Sequence, residues 1–346
     1  IWPTLCSPVG LGQPTPGTDW TNRRVLVTGA DGFVGRWLVP ALAARGATVQ
    51  ALIWSGQPPD PSLQELFPPD KITLVSGDIT DLAAMTALIT AARIDMVYHL
   101  AANNINTGAE VSPYAVFETN IRGVYTVLEA CRAATHPVAA VIASSREVED
   151  CFQPVTDRKH HPYMTSKAAA ELVARAYGDT FGLPVVRVRS DNLYGGGDFN
   201  WSRLIPHTVR SVLHGERPVI RSRGQLRRDY VYVEDAVAAY LAIGERLTHP
   251  EVAGQLFHVA TGNPISVLAM VAAIAREAGV PELEPRILGE DREERVDAPY
   301  TPAREQAVLG WQSQFTREAG LARTVQWYRD FFRREAEDSR PPEEGA

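Results

Sequence analysis

The stretch that most constrains this chain lies near its beginning. Val25-Leu26-Val27-Thr28 is a short apolar run, and Gly29-Ala30-Asp31-Gly32-Phe33-Val34-Gly35 follows it at once. An apolar run of that length reads as a buried strand, and residues 33–45 read as a helix closed by Gly46. Glycines spaced three apart between a strand and a helix suit a phosphate-binding turn. Gly29 permits the tight turn, Gly32 lets backbone approach a pyrophosphate, and Gly35 lets the helix pack close to the strand. The helix N-terminus then offers amide donors and a positive dipole. The spacing is G-x-x-G-x-x-G, not the more general G-x-G-x-x-G.

Further strands are expected at residues 48–54, 72–75, 96–100, 138–143 and 185–188, with helices at 82–93, 114–133 and 166–180. Strands alternating with helices of this length predict an α/β fold built on a doubly wound parallel (Rossmann) sheet. Past Tyr194 the alternation breaks at Gly195-Gly196-Gly197, and only short elements follow. That texture predicts a smaller C-terminal substrate lobe laid against the sheet. The expected division is an irregular, Pro- and Gly-rich arm over residues 1–22, a dinucleotide-binding domain over 23–190, a mainly substrate-binding lobe over 191–332 and a frayed, charged tail over 333–346. Ligands of open α/β sheets bind at the carboxyl ends of the strands.

Composition narrows the function. The 346 residues are 45% hydrophobic and 22% charged, which excludes wholesale disorder. The net charge of -7 argues against nucleic acid or an anionic membrane surface as partner. No run of about 20 apolar residues offers a membrane span. Cys6, Cys131 and Cys151 fit neither a disulfide framework nor a zinc pattern, so the expected compartment is the cytoplasm. His160-His161 lack a third ligand at metal spacing, so no metal is expected; the pair is expected to line a sugar pocket.

Tyr163-Met164-Thr165-Ser166-Lys167 is a Tyr-x-x-x-Lys at the start of an expected helix. Four residues make about one turn, so both side chains share a face. A lysine beside a tyrosine favours the phenolate, lowering the phenol pKa from about 10 and making a useful acid/base. Ser144-Ser145 end the fifth strand, where a hydroxyl can bond a substrate oxygen. At the end of the second strand, where NAD sites usually carry an acid, stand Trp54-Ser55-Gly56. Arg36 is expected to face solvent. Asp78 is placed either to touch adenine or to cap the following helix.

With these residues on view, the chain resembles the extended short-chain dehydrogenase/reductases that act on nucleotide sugars. The matching stretches are Val27-Thr28-Gly29 through Gly35, Tyr98-His99-Leu100-Ala101-Ala102, Glu118-Thr119-Asn120-Ile121-Arg122-Gly123, Ser144-Ser145, Tyr163 to Lys167 and Arg228-Asp229-Tyr230-Val231-Tyr232-Val233-Glu234-Asp235. Within that family, Asn192-Leu193-Tyr194-Gly195-Gly196-Gly197-Asp198 and Arg203-Leu204-Ile205-Pro206 are most similar to the CDP-glucose 4,6-dehydratase group. The resemblance implies NAD, with NADP as the alternative, held by Gly29, Asp31, Gly32, Phe33, Gly35, Asp78, Ile79, Leu100, Ala101, Ala102 and Lys167. It implies a nucleotide-diphosphate sugar as substrate. Tyr163 would take the proton of the sugar's 4-hydroxyl as hydride passes to nicotinamide, with Lys167 on the nicotinamide ribose and Ser145 positioning the hydroxyl. Asn192 and Arg228 would hold the diphosphate, arginine being suited to a forked phosphate contact. Arg146, Arg203 and Arg295 complete the implied substrate side. The plainer alternatives are that Asn192 is a turn residue and that Arg228 pairs with Asp229. A homodimer is implied through helices 114–133 and 166–180, with Val124, Leu128, Leu172 and Ala176 in the seam.

The chain departs from the resemblance just after the serines. The dTDP-glucose dehydratases look like Asp-Glu there and the CDP-glucose group like Asp-Lys, whereas this chain has Arg146-Glu147. Glu147 can act as the base beside a new ketone. Arg146 cannot be a general acid, its pKa lying above about 12. Three readings stay open: Glu147 performs both proton transfers, as a Ser-Glu pair does in GDP-mannose dehydratases; Arg146 clamps a carboxylate or phosphate; or the two form a surface pair. The leading expectation is a 4,6-dehydratase, followed by a 4-epimerase and a uronate decarboxylase. A non-catalytic dinucleotide sensor would need neither Tyr163 nor Lys167.

Overall fold

The computed structural model describes residues 20–103, 112–153, 160–290 and 300–338. These build a seven-stranded sheet from β1 (Arg24–Thr28), β2 (Thr48–Trp54), β3 (Ile72–Gly77), β4 (Met96–His99), β5 (Ala139–Ser145), β6 (Val185–Ser190) and β7 (Leu256–Val259). The spatial order is β7-β6-β5-β4-β1-β2-β3, and every pairing is parallel. The order reverses between β1 and β4, which opens a crevice at their carboxyl ends. Sequence reasoning stopped at β6. The last strand is only four residues long, carries a polar His258 and lies far along the chain, so its local pattern gives little sign of a sheet strand.

A parallel sheet is buried on both faces, so its strands run apolar without alternation. Val25, Leu26 and Val27 are fully buried, yet they serve two separate cores. Val25 and Val27 pack with Trp37 and Leu38 of α1 (Gly35–Ala44), while Leu26 packs with Met85 of α2 (Leu82–Ala91) and Leu128 of α3 (Gly123–Ala133). Helix α4 (Pro162–Phe181) covers the second face, and α6 (Val233–Glu245) joins the first, beside α1. Helix α5 (Leu204–Leu213) and the C-terminal α7 (Arg317–Asp338) pack into the same first core through Ile205, Val209, Leu321 and Tyr328. Two short parallel strands, Asn192–Tyr194 and Tyr230–Tyr232, pair beyond the sheet and carry substrate-side residues toward its carboxyl edge.

Several expectations change. Trp20, in the expected arm, is buried in the core. The segment 114–133 is three pieces: Pro113–Phe117, a π-turn over Glu118–Arg122, and α3. The wide turn follows from packing and from a side-chain network. A Cβ at Gly123 would meet Ile79 Cδ1 at 2.4 Å. Asn120 points inward, accepting from Asn103 N at 2.7 Å and donating to Ser166 Oγ at 2.9 Å. Val124 and Leu128 lie in the core and not on an open seam, whereas Tyr125, Leu172 and Ala176 are exposed. Helix α7 continues through Asp338, past the point where the tail was expected to fray. Among the described residues no helix is long and apolar enough to cross a membrane.

Candidate active site

The glycine turn is as tight as its spacing demands. Gly29 sits at φ 67°, and a Cβ on Gly35 would lie 2.3 Å from the Gly29 carbonyl oxygen. No side chain at the N-cap residue Val34 bonds the first turn of α1. A cavity of about 550 Å³ opens in front of that turn, lined by Gly29, Gly32, Phe33, Val34 and Gly35. Turn amides and an unblocked helix N-terminus facing a cavity are what a dinucleotide pyrophosphate requires. Leu100, Ala102 and Lys167 line the same space.

The adenosine-side assignments fare differently. Asp31, Asp78, Ile79 and Ala101 are not among the residues lining the cavity. Asp31 contributes its carbonyl to Arg36 Nε at 2.7 Å. The Asp78 carboxylate accepts from the Thr80 amide and hydroxyl, both at 2.8 Å, and Asp81 caps α2 in its stead. Ile79 packs under Gly123, and Ala101 backs onto Gly29. Arg36 does not face solvent. It is 6% exposed and pairs with Asp60 at 2.6 Å.

The catalytic candidates meet on the far wall. Helix α4 begins at Pro162, earlier than expected, so Tyr163 and Lys167 occupy its first two turns. Ser166 Oγ donates to the Tyr163 carbonyl at 2.7 Å and accepts from Asn120, which ties this turn to the π-turn. Of the two serines, Ser144 donates to Glu171, itself held by Arg189, while Ser145 accepts from the Glu147 amide at 3.2 Å. Ser144, Ser145, Glu147, His161, Tyr163 and Lys167 all line the cavity; His160 does not.

Burial lowers the Lys167 ammonium to about 8, with Glu171 opposing, and its Nζ donates to the Ala143 carbonyl at 3.0 Å. The expected lowering of Tyr163 is reversed. Part of its side chain borders the cavity, but protein surrounds the phenol and desolvation raises its pKa; the Glu147 carboxylate adds to the rise, and Arg203 opposes it. Desolvation disfavours the phenolate more than Arg203 favours it.

On the substrate side, Asn192, Arg203 and Arg228 line the cavity. The Asn192 amide also donates to the Asp229 carbonyl at 3.1 Å, and Arg203 pairs with Asp198. Asp229 does not pair with Arg228; its carboxylate accepts from Thr261 and Gly262. Arg295 lies outside the described residues.

Arg146 is the largest revision. It is 6% exposed, not a surface residue, and its guanidinium meets Asp191 at 3.0 Å and Glu149 at 3.4 Å. It also lies over the Tyr300 ring at 5.8 Å, and Tyr300 stacks on His258. Asp191 and Tyr300 went unnoticed because only the fold brings residues 45 and 154 positions away onto Arg146. Asn120 lay within a matched stretch, and a lone Asn in a helix-like run was its only signal.

The NAD dependent epimerase/dehydratase family model matches residues 25–256. The chain is 32% identical over 329 residues to a UDP-glucose 4-epimerase of Mycolicibacterium smegmatis, covering 89% of this chain and 99% of that one. It is 29% identical to a dTDP-glucose 4,6-dehydratase of Shigella flexneri, covering 88% and 92%. The crystal structure of DesIV, a dTDP-glucose 4,6-dehydratase from Streptomyces venezuelae with NAD and TYD bound, superposes with a TM-score of 0.77 at 26% identity, covering 89% and 97%.

Proposed function

The chain belongs to the NAD-dependent epimerase/dehydratase family, and from that membership we propose that it oxidises a nucleotide-diphosphate sugar at its 4-hydroxyl and then eliminates water across C5 and C6. NAD supplies, when bound, a hydride acceptor that returns what it takes. The glycine turn and the start of α1 would hold its pyrophosphate, and Lys167, on the same cavity wall, would bind its nicotinamide ribose.

Ser145 Oγ orients the sugar hydroxyl and Tyr163 Oη receives its proton. Because burial disfavours the phenolate, that proton moves easily only when positive charge stands near the phenol, so Arg203 favours the step electrostatically. The new ketone acidifies the C5–H bond. Glu147 removes that proton and passes it to the departing 6-hydroxyl, which leaves as water; C6 then takes back the hydride and C5 a proton, which gives the 4-keto-6-deoxy sugar. The wall position of Glu147, where its charge reaches the Tyr163 phenol, carries this reading, since epimerisation at C4 requires no carboxylate there.

Glu147→Gln tests it. With a panel of nucleotide sugars, the wild type should release a 4-keto-6-deoxy product lighter by one water. The variant should accumulate keto sugar with reduced cofactor, seen by its absorbance, while turnover falls by about 10²–10⁴-fold. Wild-type turnover in the variant would favour 4-epimerisation instead. That second reading needs only Ser145, Tyr163 and Lys167, and the 32% identical relative supports it. Uronate decarboxylation is the weaker alternative: Arg146 lines the cavity, but its guanidinium already meets two carboxylates. The reading includes a cytoplasmic homodimer joined through the exposed faces of α3 and α4.

A further inference from the structure

Sequence reasoning left Glu147 alone as the group that handles protons at C5. The fold supplies a neighbour for it. His161 is the N-cap of α4, and its ring Nδ1 accepts the Met164 amide at 3.4 Å. A nitrogen that accepts carries no proton, so in the neutral ring the proton sits on Nε2. Nε2 faces Glu147 Oε2 at 3.7 Å, and both side chains line the cavity. The His161 ring lies nearly parallel to the Tyr163 ring, 6.2 Å between centroids at 9°. Three elements of one site thus meet: the helix cap, the carboxylate and the phenol.

We propose that His161 is a positioning residue for Glu147, with helix α4's first turn fixing its tautomer so that Nε2–H is directed at the carboxylate. The inference rests on Glu147 being the C5 base. At 3.7 Å the pair is just outside hydrogen-bond range, and a shift of about 1 Å by either half-exposed side chain closes it. The bond would hold the carboxylate toward the substrate and favour its ionised, proton-accepting form. It also gives one carboxylate a fixed orientation for both transfers, first from C5 and then to the leaving hydroxyl, with no second acid required. Capping residues are ordinarily Ser, Thr, Asp or Asn, none of which would also direct a ring N–H at Glu147.

The substitutions separate capping from positioning. Asparagine caps helices well but is too short to replace the ring's second nitrogen, whereas glutamine can donate toward Glu147 but caps poorly. His161→Asn should keep the wild-type melting temperature. Its exchange of the substrate's C5 hydrogen with deuterated water should fall roughly 10–100-fold, the range seen when the orienting partner of a metal ligand is lost. Reduction of bound cofactor, read by absorbance, should fall much less, and His161→Gln should recover part of the exchange. Independently of any substrate, ¹⁵N chemical shifts of the ring, assigned by the resonance missing in His161→Asn, should report the Nε2–H tautomer. An Nδ1–H tautomer overturns the proposal, and so does wild-type exchange by His161→Asn. Absence of C5 exchange in the wild type overturns the dehydratase reading and this proposal together; exchange lost in Glu147→Gln but kept in His161→Asn overturns this one alone.

Discussion

At the scale of single residues, the chemistry turns on which charges the fold keeps dry. Lys167 is nearly buried, and its ammonium is held at about 8 against an ordinary 10.5. Between those two values the unfolded chain binds a proton that the folded chain does not, so this residue makes stability rise with pH there. Denaturant melts of wild type and Lys167→Met should show that rise in the wild type only; parallel profiles would refute it. In the proposed reaction Tyr163→Phe removes the acceptor for the first proton, so no reduced cofactor should form on adding substrate, and turnover should fall about 10²–10⁴-fold. The Tyr-x-x-x-Lys spacing was legible because it depends only on helical geometry. The direction of the Tyr163 shift was not, because it depends on atoms packed around the phenol by other elements.

At the scale of elements, the glycine turn and the segment after β5 behave oppositely. The turn is local, and its steric demands can be read from spacing. A methyl at Gly35 meets Gly29 and Ala30 backbone at 2.3–2.7 Å, and backbone cannot step aside. Gly35→Ala should therefore abolish NAD binding in a fluorescence titration while Gly178→Ala, in α4 where a Cβ would come no closer than 3.6 Å to its nearest neighbour, leaves it intact. The 3₁₀ segment Arg146–Phe152 is held from outside by Asp191 and Tyr300. Removing one member of a buried ion pair leaves an uncompensated charge, at a cost of about 3–5 kcal/mol. Glu149 at 3.4 Å still faces Arg146 in Asp191→Asn, so that variant should lose less than this in thermal melts, and pairing it with Arg146→Met should return much of the loss. No spacing rule linked Arg146 with Asp191.

At the scale of the whole molecule, internal return of hydride predicts turnover without net cofactor reduction. Accumulation of NADH in step with substrate consumed would exclude both dehydratase and epimerase chemistry. Assembly is read from what the fold leaves bare. Tyr125 of α3 and Leu172 and Phe181 of α4 are 42%, 57% and 57% exposed, an apolar surface that a second copy would cover. Light scattering at micromolar concentration should give a dimer mass, and Leu172→Glu should shift it toward monomer. Val124 and Leu128 matched the helical period equally well, but period alone does not say which of two apolar stripes meets the sheet.

The sequence by itself determined the α/β alternation, the tight glycine turn and the Tyr163–Lys167 pair. Each arises within one strand, one turn or one helix, where covalent spacing sets the geometry. Only the tertiary structure decided that β7 completes the sheet, that Arg36 and Arg146 are buried and paired, and that His161 stands beside Glu147. Those outcomes depend on contacts between residues far apart in the chain, which no local spacing sets.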